Sequence, residues 1–335
     1  MRARSRGTIR RMAAGFPEGF TLRPPTRSDG EAIVAMMNEE SVALRGVAMV
    51  SLDWIVTPWT APGADLERDF AVVTGPDGDL AGYVFVESHP PFTSVFSVGV
   101  VALRHHGRGV GAAVLEEAER RAQRFVGLAP AGDRVVVHAG ALADEPRVSE
   151  LLAAHGYIEV RRFARMAMEF NEPPEPPARL PGIDIRPLVR GEEPVVYDCI
   201  SEAFADHWGP TWPTEEAWLH EHVEARSEFH PDLWQLAWHG SELAGALIAG
   251  PDTDEDPTLG HVELVGVRRS FRRGGIGEAL LRTSFAQFHS RGYRGVALEV
   301  DTESITGATR LYERLGMTAE PRFAAWEKEL RPGHA

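Results

Sequence analysis

The chain contains an internal repeat, and this duplication constrains its architecture more than any other feature of the sequence. Each half opens on a strand-like phrase ending in Arg-Pro, within residues 20–37 and 183–200, and continues into a helix with apolar periodicity. Gly109 and Gly275 stand in corresponding glycine turns, 166 residues apart. A repeat of this length indicates two duplicated domains rather than a solenoid of short units.

The elements follow the same order in both halves. A hairpin signal comes first, Asp-Gly in residues 70–86 and His-Gly-Ser in residues 233–249. A strand with a glycine turn follows in residues 96–122 and 262–288, and each half closes on a helix, a glycine and a last strand. This order predicts for each domain a mixed α/β (α+β) fold with a central sheet flanked by helices.

A proline-rich segment separates the halves. Residues 171–182, NEPPEPPARLPG, hold five prolines, which fix φ and lack an amide proton, so the segment predicts a stiff extended linker. The predicted domains are residues 20–170 and 183–331. A loose basic arm over residues 1–19 precedes them.

Composition excludes several classes of function. The net charge of −14 disfavours a nucleic-acid partner and mildly favours a cationic small molecule. No apolar run approaches the ~18 residues of a membrane span, so no membrane partner is expected. Cys199 is the single cysteine and no histidine spacing matches a metal site, so we predict no disulfide, no metal and a cytoplasmic location. A monomer and a homodimer both remain open.

The stretch RRGGIGEALL, residues 272–281, predicts an anion site. Its glycines lie between a strand and a helix, where free main-chain N–H groups and the positive end of the helix dipole meet. Four arginines, Arg268, Arg269, Arg272 and Arg273, add charge suited to bidentate phosphate contacts. The P-loop pattern is missing, because no Lys-Ser/Thr pair follows. A plain strand–helix turn is the alternative interpretation.

Two motifs carry a family resemblance. Arg272-x-x-Gly275-x-Gly277 matches the pattern [Arg/Gln]-x-x-Gly-x-[Gly/Ala], and LYERLGM follows at residues 311–317. Together they resemble the GNAT superfamily of N-acetyltransferases, in its tandem two-domain type, which includes mycothiol synthase and related actinobacterial acetyltransferases. The resemblance implies two tandem GNAT-like domains, each with a mostly antiparallel mixed sheet, and acetyl-CoA as the co-substrate.

The resemblance also implies where acetyl-CoA binds. The preceding strand would pair with the pantetheine arm, and the amide of Val265 would donate to the thioester oxygen. Ser304 stands where the family often has an asparagine that touches CoA. The implied acetyl-CoA residues are Val265, Gly266, Val267, Arg272, Arg273, Gly274, Gly275, Ile276, Gly277 and Ser304.

Three residues are candidates for the proton transfers. Tyr312 matches the tyrosine that the family places near the CoA sulfur, although its apolar stripe is equally typical of a core residue. Glu263 is the first candidate base and His261 its rival; strand alternation predicts that both share a face with Val265. A polar pair on a solvent-exposed strand is the alternative for these two.

The acceptor pocket is expected after the first helix of the second half. There FADHWGPTWP offers Asp206 and His207 as substrate-binding candidates, and Trp208 and Trp212 could wall the pocket or pack in the core.

The two halves are not chemically equal. Leu152 corresponds to Tyr312, His106 to Arg272 and Ser97 to Glu263, so chemistry is predicted in the second half alone. The first half keeps a glycine turn. A second acetyl-CoA site is therefore a candidate there, formed by Val100, Val101, Arg108, Gly109, Val110 and Gly111.

These observations predict an acetyl-CoA-dependent N-acetyltransferase that acts on a primary amine of a small molecule. Direct attack in a ternary complex is expected, since Cys199 lies outside every motif. Two alternatives stay open: a non-catalytic protein that binds or senses acyl-CoA, and an enzyme that uses another acyl-CoA, such as succinyl-CoA.

Overall fold

The computed structural model describes residues 11–12, 15–143, 145–209, 211–303 and 307–334. Its contacts divide the chain into two compact units. The first contains the described residues up to 160 together with those from 325, and the second contains residues 161–324. The units therefore differ from the predicted domains in the last strand of each half. In the first half, residues 163–169 belong to the second unit, because they hydrogen-bond to its strand 295–301.

The first unit alternates strands and helices. Its strands are β1 (Arg11–Met12), β2 (Thr21–Arg23), β3 (Phe70–Thr74), β4 (Leu80–Glu87), β5 (Ser94–Val101) and β6 (Val135–Leu142). Its helices are α1 (Gly30–Arg45), α2 (Leu52–Val56), α3 (Leu66–Asp69), α4 (Val110–Ala122) and α5 (Pro146–Ala154). The strands stand in sequence order, and β5 and β6 are parallel.

Each face of the first sheet has its own apolar core. Val110, Val114 and Ala118 of α4 pack on one face, and Ile33 and Met36 of α1 pack on the other.

The second unit repeats this order. Its strands are β7 (Ile158–Glu169, from residue 161), β8 (Ile183–Pro187), β9 (Gln235–His239), β10 (Glu242–Pro251), β11 (Leu259–Val267), β12 (Gly295–Asp301) and β13 (Thr318–Arg331, to residue 324). Its helices are α6 (Glu193–Phe204), α7 (Glu215–Leu219), α8 (Ile276–Ser290) and α9 (Ala308–Arg314). Strands β8 to β12 are neighbours in sequence order, and β7 pairs antiparallel with β12.

The faces of this second sheet are covered in the same way. Leu280 and Phe285 of α8 pack on one face, and Val196 and Ile200 of α6 pack on the other, with Trp218 of α7.

These units confirm the predicted fold class, a mixed α/β fold with a central sheet flanked by helices. Both predicted hairpins are present: β3 pairs with β4 and β9 with β10, with Gly78 and Gly240 at positive φ in the turns. The predicted linker has no regular structure, but Glu175 within it pairs with Arg282 of α8. No helix of the described residues is long and apolar enough to span a membrane.

The predicted loose arm needs a correction. Residues 11–12 form β1, which pairs antiparallel with β2. Phe16 packs against the apolar core that lies between the first sheet and α4. A basic composition does not prevent the backbone from adding a strand to a free sheet edge.

Candidate active site

The glycine turn of the second unit presents main-chain N–H groups that no described residue accepts from. Gly275 caps α8 at φ +81°, a conformation that glycine adopts without strain. The first N–H to bond inside the helix belongs to Ala279, which donates to the Gly275 carbonyl at 3.0 Å. Among the described residues, the N–H groups of residues 273–278 have no acceptor. N–H groups of this kind at the positive end of a helix are able to bind an anion.

A gap opens in the sheet immediately before this turn. Strand β11 pairs with β12 only from Leu259 to His261, and beyond that point the two parallel strands separate. The N–H of Arg268 donates to the carbonyl of Ala244 in β10. Gly266 lies two residues earlier on the same strand, so its main-chain polar groups also point toward β10. The main-chain groups of Val265 and Val267 therefore point into the gap, where an extended ligand could pair with them.

Gly266 has a packing role instead. Its N–H is directed toward β10, and a Cβ at this position would lie 2.8 Å from the Cβ of Ala203 and 3.0 Å from Cδ1 of Ile200, both on α6. Helix α6, and not a ligand, therefore makes the close approach that was predicted at Gly266.

Most of the arginines that were predicted to bind phosphate already form ion pairs or hydrogen bonds with other groups of the protein. Arg268 pairs with Glu202, and Arg269 pairs with Asp206. Arg272 donates to the carbonyls of Val267 at 3.2 Å and Ala203 at 2.9 Å, so it shapes the turn. Arg273, at φ +66°, makes no side-chain hydrogen bond or ion pair with a described residue.

A β-bulge at Glu263 overturns one prediction. Ile248 of β10 pairs with Leu264, but the next residue, Ala249, pairs with Val262, so Glu263 is an extra residue in β11. Val265 consequently packs in the core below α8, whereas Glu263 contacts the segment after α7. Regular alternation predicts that the Val265 and Glu263 side chains lie on the same face of the sheet, and the bulge places them on different faces.

Glu263 is held by two cationic or hydrogen-bonding partners. His222 Nδ1 lies 3.3 Å from its Oε2, and Arg226 Nη2 donates to the same oxygen at 2.6 Å. Burial alone would raise the pKa of Glu263, but the hydrogen bond from His222 and the charges of Arg226, His222 and His261 lower the pKa to about 2. The side chain is thus a carboxylate at neutral pH and a weak proton acceptor.

His261 faces a second carboxylate. Its Nε2 lies 3.3 Å from Oε2 of Glu299 on β12. Its Nδ1 is buried and has no hydrogen-bond partner among the described residues. Glu299 in turn accepts a hydrogen bond from Arg165 of β7 at 3.2 Å.

Tyr312 lies on α9, in the core below α8, with 7% of the residue exposed. Burial raises the pKa of Tyr312 to about 12, and its hydroxyl makes no hydrogen bond to a described residue. A Cβ at Gly277 would lie 3.9 Å from Leu311 Cδ2, so α9 packs beside the first turn of α8. Tyr312 is therefore a buried core residue, and its role near the CoA sulfur stays a prediction.

The acceptor-pocket candidates follow α6. Asp206 is neutralised by Arg269 on the surface. The ring of His207 lies 4.5 Å from that of Phe204, and burial lowers the pKa of His207. Trp212 packs in the α6 core, whereas Trp208 is half-buried beside Phe163. Ser304 lies outside the described residues.

The first unit keeps the gap and the turn. Strands β5 and β6 pair only from Ser94 to Phe96, and Gly109 caps α4 at φ +80°. The N–H of Ala102 donates to β4, so the main chain of Val101 points into the gap and that of Val100 does not.

The side chains around the first turn differ from those in the second unit. His106 Nε2 lies 2.9 Å from the carbonyl of Val101, the contact that Arg272 makes with Val267. Arg108 lies 3.1 Å from His105 Nδ1 and above the Phe20 ring. Leu152 is buried in the core.

The predicted match of Ser97 to Glu263 needs a correction. Ser97 pairs with Val86 of β4 in a regular ladder and bonds to the His138 carbonyl at 2.7 Å. It corresponds to Val262, since Glu263 is the bulge residue and has no counterpart in the first unit.

Sequence reasoning missed four residues at this site, namely Arg165, His222, Arg226 and Glu299. Glu299 could have been noticed as a lone acid in the apolar run GVALEV. The other three lie outside the motifs and carry no local signal. No group of potential metal ligands occurs in the part of the chain that the structure describes.

The chain is similar to several known proteins. The model of the Acetyltransferase (GNAT) family matches residues 197–317. The mycothiol acetyltransferase of Geodermatophilus obscurus is 32% identical over 266 residues, covering 77% of this chain and 81% of that protein. The mycothiol acetyltransferase of Thermobispora bispora is 31% identical and covers 72% and 78%.

Two solved structures extend the similarity to nearly the whole chain. A GCN5-related N-acetyltransferase from Sphaerobacter thermophilus has a TM-score of 0.74 and 32% identity, covering 95% of this chain and 98% of that one. A tandem GNAT protein from the clavulanic acid biosynthesis pathway has a TM-score of 0.68 at 16% identity, covers 94% and 100%, and supports the fold alone.

Proposed function

The chain belongs to the GNAT family of acetyltransferases, and from this premise we propose that its second unit transfers acetyl from acetyl-CoA to the primary amine of a small molecule. One observation carries the proposal: the gap between β11 and β12 leads directly into a turn whose N–H groups at residues 273–278 have no acceptor within the described part of the chain. Such a gap and turn suit a ligand with an extended arm and a diphosphate.

The main chain around the gap and turn would hold acetyl-CoA. We assign the diphosphate to Gly274, Gly275, Ile276 and Gly277, with the positive charge of Arg273 nearby. The pantetheine arm would pair with Val265 and Val267, whose polar groups point into the gap. The Val265 N–H is then the donor to the thioester oxygen as it gains negative charge.

The chemistry needs a base for the amine and a hydrogen-bond donor for the departing sulfur. A cationic amine first releases one proton to solvent; the neutral nitrogen then attacks the thioester carbon, a C–N bond forms, and a second proton moves from that nitrogen to His261. The C–S bond breaks and its electron pair leaves on the CoA thiolate. A tyrosine with a pKa of about 12 would protonate a thiolate of pKa about 8.5 uphill by roughly 5 kcal/mol, so we assign Tyr312 as a hydrogen-bond donor to the departing sulfur.

Glu263 has a different role in this scheme. Its low pKa makes it a poor general base, because an effective base has a pKa near the working pH. A permanent carboxylate beside His261 would instead attract a cationic amine into the site. Asp206 is bound to Arg269 and His207 is exposed, so we place them at the rim of the acceptor pocket rather than at the reacting atoms.

The relatives suggest the first acceptors to test. Two of them are named mycothiol acetyltransferases, so sugar amines of the mycothiol type come first. We propose the cytoplasm as the location, which suits a chain with a single cysteine, Cys199. We further propose that the first unit binds acetyl-CoA without turnover, since it keeps the gap and Gly109 but has Leu152 in place of Tyr312.

An acceptor screen tests the proposed function. Acetyl-CoA is incubated with a panel of amines and products are identified by mass spectrometry. We expect one class of amine to gain an acetyl group, with Tyr312→Phe lowering kcat by about 10-fold or more and leaving acetyl-CoA affinity unchanged.

Tyr293→Phe is the matched control, since Tyr293 packs on Phe288 within the same unit and should turn over normally. Acetyl-CoA binding without any acetylated product across the panel would favour a sensing protein instead.

A further inference from the structure

We propose that Glu299 is a positioning residue for acetyl transfer, which orients the His261 ring so that Nδ1 is the atom that accepts the amine proton. This inference rests on the proposed function. It concerns a residue that no motif identifies, on the strand that separates from β11.

The contacts of His261 favour one tautomer. Glu299 Oε2 lies 3.3 Å from Nε2, and a carboxylate at this distance favours a proton on that nitrogen. In that tautomer Nδ1 is the unprotonated nitrogen. Nδ1 is buried with no partner among the described residues, and an unsatisfied buried nitrogen is costly. The N–H of an acceptor amine would satisfy it.

Arg165 holds Glu299 in place from the other side. Glu299 and Arg165 are direct cross-strand partners on β12 and β7, and Nη1 donates to Oε1 at 3.2 Å. The Arg165 side chain is only 7% exposed, because Asp252 and Glu255 after β10 also bind it. The two oxygens of Glu299 are thus divided between a fixed guanidinium and the imidazole.

Carboxylates lie near the His261 ring on two strands. Among the described residues, Arg165 pairs with Asp252, Glu255 and Glu299, and Arg322 pairs with Glu255. In this proposal the negative charge of Glu299 stabilises the imidazolium that forms when His261 accepts the amine proton. Glu263 also acts on the ring by its charge, and its own partners are Arg226 and His222.

The test combines a pH profile with a double-mutant cycle. Glu299→Gln keeps the shape of the side chain and removes its charge. We expect kcat to fall about 10-fold or more, the KM for acetyl-CoA to stay unchanged, and the acid limb of kcat/KM to move to lower pH, because His261 loses a group that favours its charged form. Glu299→Asp keeps the charge and should restore part of the rate.

Glu169→Gln is the matched control. Glu169 is a carboxylate at the opposite end of the same strand pair; among the described residues its side chain pairs with Arg294 on the surface, and its loss should change neither kcat nor the profile. In a His261→Gln background, Glu299→Gln should cause no further loss. An unchanged profile, or losses that simply multiply in the double variant, would overturn the proposal.

An NMR titration of the His261 ring separates this inference from the proposed function. A lower ring pKa in Glu299→Gln than in the unaltered protein supports the coupling even where no amine is acetylated. The same ring pKa in both proteins refutes it even in an active enzyme.

Discussion

Glu263 illustrates how partners distant in sequence decide the chemistry of one side chain. Its type and its place before the glycine turn made it the first candidate base. His222 and Arg226 lie about 40 residues earlier, and no motif predicts that they converge on it. A single sequence can therefore nominate Glu263 and His261, but it cannot predict which of them has a pKa suited to accepting a proton.

Arg226 is expected to control the ionisation of Glu263. Arg226→Gln removes the guanidinium that donates at 2.6 Å, so the pKa of Glu263 should rise from about 2 toward the ordinary value of about 4.3. Carboxyl carbon NMR measures it. Arg190→Gln, which removes a charge stacked on Phe229, is the control and should leave that pKa unchanged.

The same pKa makes a prediction about stability. Because folding lowers the pKa of Glu263, its ionised form stabilises the fold above the unfolded pKa of about 4.3, and this contribution is lost as the pH falls from there to about 2. The difference in free energy of unfolding between the natural protein and Glu263→Gln should be largest near neutral pH and vanish near pH 2. A difference that is constant with pH would contradict the low pKa.

The strand–turn–helix element β11–α8 could be predicted in its outline but not in its register. Gly275 and the apolar run after it predict a turn and a helix, and both occur. The bulge at Glu263 left no local signal, since a constant offset of 166 residues aligned Ser97 with Glu263 and concealed one extra residue. Periodicity assumes a regular strand, so it placed Val265 on the wrong face.

Alanine substitutions at two glycines of this element should change the stability of the second unit by different amounts. A Cβ at Gly266 would clash with Ala203 at 2.8 Å, so Gly266→Ala should destabilise the second unit by about 1–3 kcal/mol in urea unfolding. Gly277→Ala is the matched control, because its Cβ meets only ordinary contacts at 3.8 and 3.9 Å. Equal stability of the two variants would argue against a packing role for Gly266.

At the scale of the whole chain, the sequence predicts the duplication and the order of the elements. It does not predict which unit the last strand of each half joins. Residues 325–331 are the end of the predicted second domain, yet Trp326 and Leu330 pack in the core of the first unit, and Lys328 pairs with Glu119 there. Long-range packing decides which sheet a last strand joins, and hydrophobic periodicity carries no information about it.

Truncation tests this assignment. A chain ending at residue 324 lacks Trp326 and Leu330, and we expect faster amide hydrogen exchange in β5 and β6 of the first unit. A chain ending at Arg331 keeps both residues and serves as the control. Protection of β5 and β6 equal to that of the control would contradict the assignment.

Acetyl-CoA binding and turnover by one pair of variants test the central claim, that the turn at Gly275 holds the diphosphate for chemistry in the second unit. Gly277→Glu adds an acid to the first turn of α8, which the helix tolerates, but it should weaken acetyl-CoA binding to the second unit about 10- to 100-fold by charge repulsion and abolish turnover. Gly111→Glu makes the equivalent change in α4 and should leave turnover intact. Normal turnover by Gly277→Glu, or its loss in Gly111→Glu alone, would contradict the account.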